Sequence, residues 1–77
     1  MTVMEAVRYR IHELREEAGL TACGLAGLCG ISQSTMFDIL DGSYRSVTLS
    51  SIQKICDGLE IDLPTFFGSD IFYGLDM

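Results

Sequence analysis

The chain has few of the residues that build catalytic or membrane-spanning sites: one His, one Pro, no Trp and no long apolar run. With one His, no G-x-S-x-G motif and no phosphate-binding loop, a nucleophile cannot be paired with a base, so we do not expect an enzyme. No apolar stretch approaches the roughly 20 residues of a membrane span, and the N-terminus lacks the apolar segment of a signal peptide. The scarcity of Pro gives no sign of a disordered tail. We therefore expect a folded, cytoplasmic protein that has no contact with a membrane.

Cysteine is also sparse, and its three positions do not fit a metal site. Cys23, Cys29 and Cys56 are an odd number, and their spacing matches neither C-x-x-C nor a Cys/His zinc motif. We expect reduced thiols that act as small apolar side chains in the core. No metal, cofactor or small-molecule ligand is predicted.

Basic residues are outnumbered: the 77 residues hold five Lys and Arg against eleven Asp and Glu, a net charge of −6. This balance argues against nucleic-acid binding, since phosphate contacts normally need Lys and Arg. The excess of negative charge is uneven, however. All charged residues in 57–77 are Asp or Glu, whereas residues 1–56 are nearly neutral. The length allows one small domain with a thin core, of the kind that often gains stability from a partner subunit.

Apolar periodicity predicts an all-α chain of five helices. The first covers residues 3–18, begins at a T-x-x-E capping box of Thr2 and Glu5, and buries one stripe: Met4, Val7, Ile11, Leu14 and Ala18. The others cover about 22–29, 33–41, 49–58 and 63–67, each preceded by a capping side chain: Thr21, Ser32, Thr48 and Asp62. On the fourth helix we expect an inward face of Leu49, Ile52, Ile55, Cys56 and Leu59.

The second and third helices have the spacing of a helix-turn-helix. Gly30 suits the left-handed C-cap of the second helix, and Ser32 offers a hydroxyl to cap the third. Met36 and Ile39 then face back onto Leu25 and Ala26. In such a motif the second helix of the pair commonly enters the major groove of DNA.

Four ordered blocks carry a resemblance to a known family. They are LREEAGLT at 14–21, LAGLCGISQSTM at 25–36, ILDGSYR at 39–45 and TLSSIQKICDGLEIDLPTFF at 48–67. They resemble the phage-repressor, Cro-like (lambda-repressor-like) DNA-binding domains in residue type and spacing. The resemblance implies a five-helix fold with the helix-turn-helix at helices two and three. It also implies sequence-specific binding to double-stranded DNA as a homodimer that regulates transcription, most often as a repressor.

The same resemblance assigns site residues one by one. Positions facing base edges are Gln33, Ser34, Phe37 and Asp38, and positions facing the DNA backbone are Thr21, Ser32, Tyr44 and Arg45. Gln can read adenine, an apolar group can pack on the thymine methyl, and Asp can accept from cytosine. The alternatives remain a solvated Gln33 and Arg45, and a Phe37 that docks into a protein partner or packs on a neighbouring helix.

Several positions depart from the family pattern. Ala22 stands where Gln is usual, Leu40 where a Glu commonly pairs with Arg15, and Glu60 at a left-handed position where Gly is usual. Among the remaining charges, we expect Arg15 in an ion pair with Glu16 or Glu17. We expect Arg8, Arg10 and Lys54 to be solvated, with contact to the DNA backbone as the alternative, and His12 to be exposed.

The domain is expected over residues 1–68, with residues 69–77 as a tail that serves dimerisation. The C-terminal segment holds more large apolar residues than a five-helix core needs: Phe66, Phe67, Ile71, Phe72, Tyr73 and Leu75. A rival interpretation is a protein–protein interaction module that kept this fold and lost DNA binding. The net charge, the uncharged second helix, Phe37 and Leu40 favour that rival.

Overall fold

Five α-helices follow one another in the computed structural model, which describes residues 1–43 and 47–75. They are α1 (Val3–Glu17), α2 (Ala22–Cys29), α3 (Gln33–Asp41), α4 (Leu49–Leu59) and α5 (Leu63–Phe67), and a 3-10 turn (Asp70–Phe72) comes after them. No β-strand occurs in the described part of the chain. The predicted helix bounds are confirmed to within one residue, and all-α is the correct class.

Helix starts are set by the predicted capping side chains. At each of the five N-caps the side-chain oxygen accepts from the backbone N–H three residues later: Thr2, Thr21, Ser32, Thr48 and Asp62. The capping box of α1 is complete, because the Thr2 N–H also donates to Glu5 Oε1 at 2.8 Å. These bonds satisfy donors that a helix start otherwise leaves unpaired.

The core is one cluster to which every α-helix contributes. Its fully buried large side chains are Phe66, Ile11, Leu25, Met36, Ile55 and Cys56. Two predicted core residues are wrong: Ala18 is exposed as the C-cap of α1, and Leu49 is 73% exposed. Leu49 is the first residue of α4, and helical side chains tilt toward the N-terminus, so it points past the edge of the core. Ala6, which lies beside the predicted stripe, is buried instead.

The three cysteines differ in their burial. Cys29 and Cys56 are free thiols in the core, as predicted, whereas Cys23 is exposed. Burial raises the pKa of the Cys29 and Cys56 thiols, so both remain protonated at neutral pH.

Helices α2 and α4 approach most closely at Gly58. A Cβ atom placed on Gly58 would lie 2.7 Å from Cys29 Sγ and 3.0 Å from the Leu28 carbonyl oxygen. One turn earlier, the Cys29 thiol donates to the Ile55 carbonyl at 3.8 Å. Only the absence of a side chain at Gly58 permits this spacing between the two helices.

Helix α5 is tied to α1 by Arg10. Its Nε donates to the Phe66 carbonyl at 2.8 Å and its Nη2 to the Thr65 carbonyl at 2.9 Å. Arg10 is therefore not a solvated charge, because its guanidinium caps the C-terminal end of α5. Phe66 is completely buried, so the expectation that it is surplus to the core is wrong. The 3-10 turn packs on α1 and brings the Phe72 ring to 5.1 Å from that of Phe67.

None of the helices in residues 1–43 and 47–75 is long and apolar enough to cross a membrane.

Replacing Gly58 with Ala should destabilise the protein although Ala favours helix. The methyl group meets backbone atoms of α2, and such overpacking costs about 1–3 kcal/mol. Gly27→Ala is the matched control, because a Cβ there meets nothing within 4 Å. That change should stabilise α2 by about 0.5–1 kcal/mol. Urea unfolding of both variants measures the difference, and equal stabilisation by both would contradict the close approach.

Candidate nucleic-acid interface

The turn between α2 and α3 has the predicted geometry. Gly30 takes a left-handed conformation (φ +69°), and the N–H groups of Gly30 and Ile31 both donate to the Ala26 carbonyl. The chain then enters α3 through the Ser32 cap. Met36 and Ile39 are buried in the same cluster as Leu25 and Ala26, which confirms the predicted packing of the two helices.

Burial of Met36 and Ile39 leaves the opposite side of α3 in solvent. Gln33, Ser34 and Phe37 are exposed, Phe37 by 45%, and Asp38 is half-buried. These residues lie at i, i+1, i+4 and i+5, so they share the side of the helix that faces away from the core. The structure thus gathers all four predicted base-contacting residues on one solvent-facing surface.

Thr21 and Ser32, two of the residues predicted to contact the DNA backbone, differ in the hydrogen bonds that their hydroxyl groups already make. The Thr21 hydroxyl oxygen accepts from the Gly24 N–H at 3.0 Å, and no described residue accepts its proton. The Ser32 hydroxyl accepts from the Thr35 N–H at 3.2 Å and donates to the Thr35 hydroxyl at 2.8 Å. Thr21 therefore has a free donor for a phosphate at the positive end of α2, whereas Ser32 would have to give up an existing bond.

The other two predicted backbone contacts, Tyr44 and Arg45, lie outside the described residues. The chain leading to them is held at Asp41, whose Oδ1 accepts from the Ser43 N–H at 2.8 Å. Hydrogen bonds from Ser43 lower the pKa of the Asp41 carboxyl below its usual value. Asp41 is thus ionised at neutral pH at the end of α3.

Few described basic side chains are available to this surface. Arg10 binds the end of α5, and Arg15 Nη1 donates to the Leu20 carbonyl at 2.8 Å. The expected ion pair of Arg15 is present but long, at 3.7 Å to Glu16 Oε1. Arg8 packs against the C-terminal end of α3, where its guanidinium would clash with a Cβ on Gly42. Lys54 is exposed on α4.

His12 has a structural contact that the sequence did not predict. It is half-buried rather than exposed, and its Nε2 lies 2.9 Å from the Leu40 carbonyl oxygen. A carbonyl oxygen only accepts, so Nε2 donates to the last turn of α3. The partners are 28 positions apart, and no local pattern in the sequence signals such a bond.

Comparisons with known proteins agree with this geometry. A family model described as a helix-turn-helix domain matches residues 8–65. A solved structure of an HTH_3 family transcriptional regulator from Vibrio cholerae is similar to this chain, with a TM-score of 0.79 and 29% sequence identity. The match covers 88% of this chain and 38% of that protein, so the chain spans under half of its length. No curated protein sequence matches the chain.

Proposed function

Because this chain belongs to the helix-turn-helix domain family, with the all-α, five-helix fold of lambda-repressor-like domains, we propose that it binds double-stranded DNA and regulates transcription. Helix α3 enters the major groove in this proposal. The proposal rests on the solvent-facing surface of α3 that contains Gln33, Ser34, Phe37 and Asp38. The similarity to a transcriptional regulator supports it. We propose repression as the mode of regulation, because that is what the resemblance to lambda-repressor-like domains implies.

The base contacts follow from the chemistry of the α3 surface. Gln33, at the start of the helix, has an amide that can bond to adenine N6 and N7, and Phe37 offers an apolar surface for a thymine methyl. Ser34 lies between them and bonds to a base edge or an adjacent phosphate. Asp38 can accept from cytosine N4, but it also repels phosphate, so it belongs at the edge of the footprint.

The backbone contacts are proposed at both ends of the helix-turn-helix. The Thr21 hydroxyl and the N-terminus of α2 face a phosphate, and Ser32 joins them by exchanging its Thr35 bond. Tyr44 and Arg45 contact the backbone from the segment after α3. Because few described basic side chains are available to this surface, non-specific attraction to the phosphates is weak. Contacts to the edges of the DNA bases must therefore supply a large share of the affinity.

A homodimer completes the proposal, because one small domain buries less area than tight specific binding needs. The exposed large apolar residues of the C-terminal segment offer its interface: Phe67 and Tyr73. Two domains joined there would read half-sites about one helical turn, roughly 10 base pairs, apart.

The first test of DNA binding is fluorescence anisotropy with a pool of random-sequence duplexes at low and moderate salt. The bound fraction is then sequenced. Salt-sensitive binding that enriches a palindrome is the expected result. A folded protein that binds no duplex at low salt would contradict the proposal.

Gln33→Ala should relax base preference at one position of the selected site, at a cost of about 1–3 kcal/mol for the preferred base. The helix should persist because Ala is a good helix former. Gln53→Ala on α4 is the matched control and should leave the selected sequence unchanged. Competition between duplexes that differ at single positions measures the effect, and a uniform loss over all duplexes would contradict base readout by Gln33.

Arg45→Ala should weaken binding to every duplex alike. Losing one phosphate contact should reduce the slope of log affinity against log salt by about 0.9. Arg45→Lys keeps the charge and should keep most of that slope. Anisotropy titrations over a series of salt concentrations measure it, and an unchanged slope in Arg45→Ala would contradict the assignment.

The dimer should strengthen as salt rises, unlike DNA binding. Its proposed interface lies among carboxylates of residues 57–77, and added salt screens their mutual repulsion. Tyr73→Ser should weaken self-association, whereas Leu49→Ser, which changes an equally exposed residue on α4, should not. Sedimentation at high micromolar concentration measures both, and a monomer at all salt concentrations would exclude the dimer.

A further inference from the structure

The outer face of α1 and the end of α3 enclose a groove that the DNA-binding proposal leaves unused. It has a volume of about 610 Å³, and seven side chains line it: Arg8, Tyr9, His12, Glu13, Glu16, Glu17 and Leu40. All but Leu40 come from α1, so the groove follows the axis of that helix. The four residues assigned to base contacts do not line it.

The floor of the groove is apolar and held in place. Leu40 and His12 are both half-buried, and the bond from His12 Nε2 to the Leu40 carbonyl joins the two helices beneath it. Tyr9 lies beside them with 57% of its surface exposed, and its hydroxyl has no partner among the described residues. An exposed aromatic ring next to an aliphatic side chain on a rigid base is a common feature of protein-binding surfaces.

One rim of the groove is negatively charged. Glu13, Glu16 and Glu17 lie at i, i+3 and i+4 on α1 and are all exposed. Glu13 pairs with Arg10, Glu16 has only the long contact to Arg15, and Glu17 has no hydrogen bond or ion pair to any described residue. Glu16 and Glu17 therefore retain their capacity to bind an added cation.

We propose that this groove docks a basic amphipathic helix of a partner protein. Lys or Arg side chains of the partner would pair with Glu16 and Glu17, and its apolar side chains would cover Tyr9 and Leu40. The lining carries three carboxylates against one guanidinium, that of Arg8, which disfavours DNA and anionic lipid as occupants. It equally disfavours the acidic residues 57–77 of a second copy of this chain.

Leu40, on the floor of the groove, belongs to α3, the proposed recognition helix. A partner seated there would lie beside the C-terminal end of α3, where Arg8 packs on Gly42. The docked partner would thus sit next to DNA bound by α3. The docking itself does not depend on DNA binding, so the two proposals are tested separately.

The test uses a fluorescent helical peptide of Leu and Lys at amphipathic spacing, with a matched Leu and Glu peptide. Anisotropy measures affinity, and amide NMR shifts locate the bound peptide on the full chain. We expect the Lys peptide to bind, to shift Tyr9, His12, Glu16 and Glu17, and to bind more weakly as salt rises. Binding of the Glu peptide with equal affinity, or shifts centred on residues 57–77, would overturn the proposal.

Charge-matched variants separate a defined site from general attraction to an acidic protein. The double variant Glu16→Gln, Glu17→Gln should weaken the Lys peptide about fivefold, since each exposed ion pair contributes little. The control, Asp57→Asn with Glu60→Gln, removes the same charge elsewhere and should have no effect. Equal weakening by both would overturn the proposal, as would no weakening by the first.

A second pair of variants tests the apolar floor. Tyr9→Ala should weaken the Lys peptide, and Leu49→Ala, which removes a more exposed apolar side chain on α4, should not. Both changes are at the surface, and circular dichroism checks that the helices persist. An unchanged affinity in Tyr9→Ala would contradict docking on this floor. Gln33→Ala should retain peptide binding, so failure of DNA binding and failure of docking are distinguishable.

Discussion

The close approach of α2 and α4 at Gly58 is the constraint on which the position of the helix-turn-helix depends. Backbone of α2 lies where a side chain of residue 58 would be, and the Cys29 thiol donates to α4 one turn away. Because α2 is short and carries no charged side chain, this packing, rather than ion pairs, places it. Helix α3 then follows from α2 through the left-handed Gly30 turn, so the contact between α2 and α4 also determines the orientation of the exposed α3 surface.

Helix α1 organises the rest of the molecule through three polar side chains that all bind backbone carbonyls. Arg10 binds the end of α5, His12 the end of α3, and Arg15 the Leu20 carbonyl just before α2. Each bond satisfies a carbonyl oxygen, and those from the Arg10 and Arg15 guanidinium groups, as hydrogen bonds to charged groups, contribute about 1.5–3 kcal/mol each. One amphipathic helix therefore fixes the ends of α3 and α5, which are distant in sequence, and the nearby Leu20 that precedes α2.

These structural tasks occupy part of the basic side chains of an acidic helix-turn-helix protein. Two of its five, Arg10 and Arg15, are used inside the fold, so in the proposed complex with DNA the charged contacts to phosphate rest on Arg45 and on the N-terminus of α2. The acids at Glu13, Glu16 and Glu17 lie on the outer face of α1, not on the exposed row of α3. This separation is consistent with the two proposals, which place DNA at α3 and a basic protein partner at the groove on α1.

The helices, their caps and the helix-turn-helix could all be predicted from the sequence, because they depend on residues within a few positions of one another. The capping box at Thr2 and Glu5, the left-handed Gly30 and the buried Met36 and Ile39 are all of this local kind. Even the unusual left-handed Glu60 (φ +59°) follows from its position after α4. The contacts of Arg10, His12 and Gly58, and the burial of Phe66, could not be predicted in this way. Their partners are far away along the chain, so which carbonyl or thiol each one meets depends on how the helices pack.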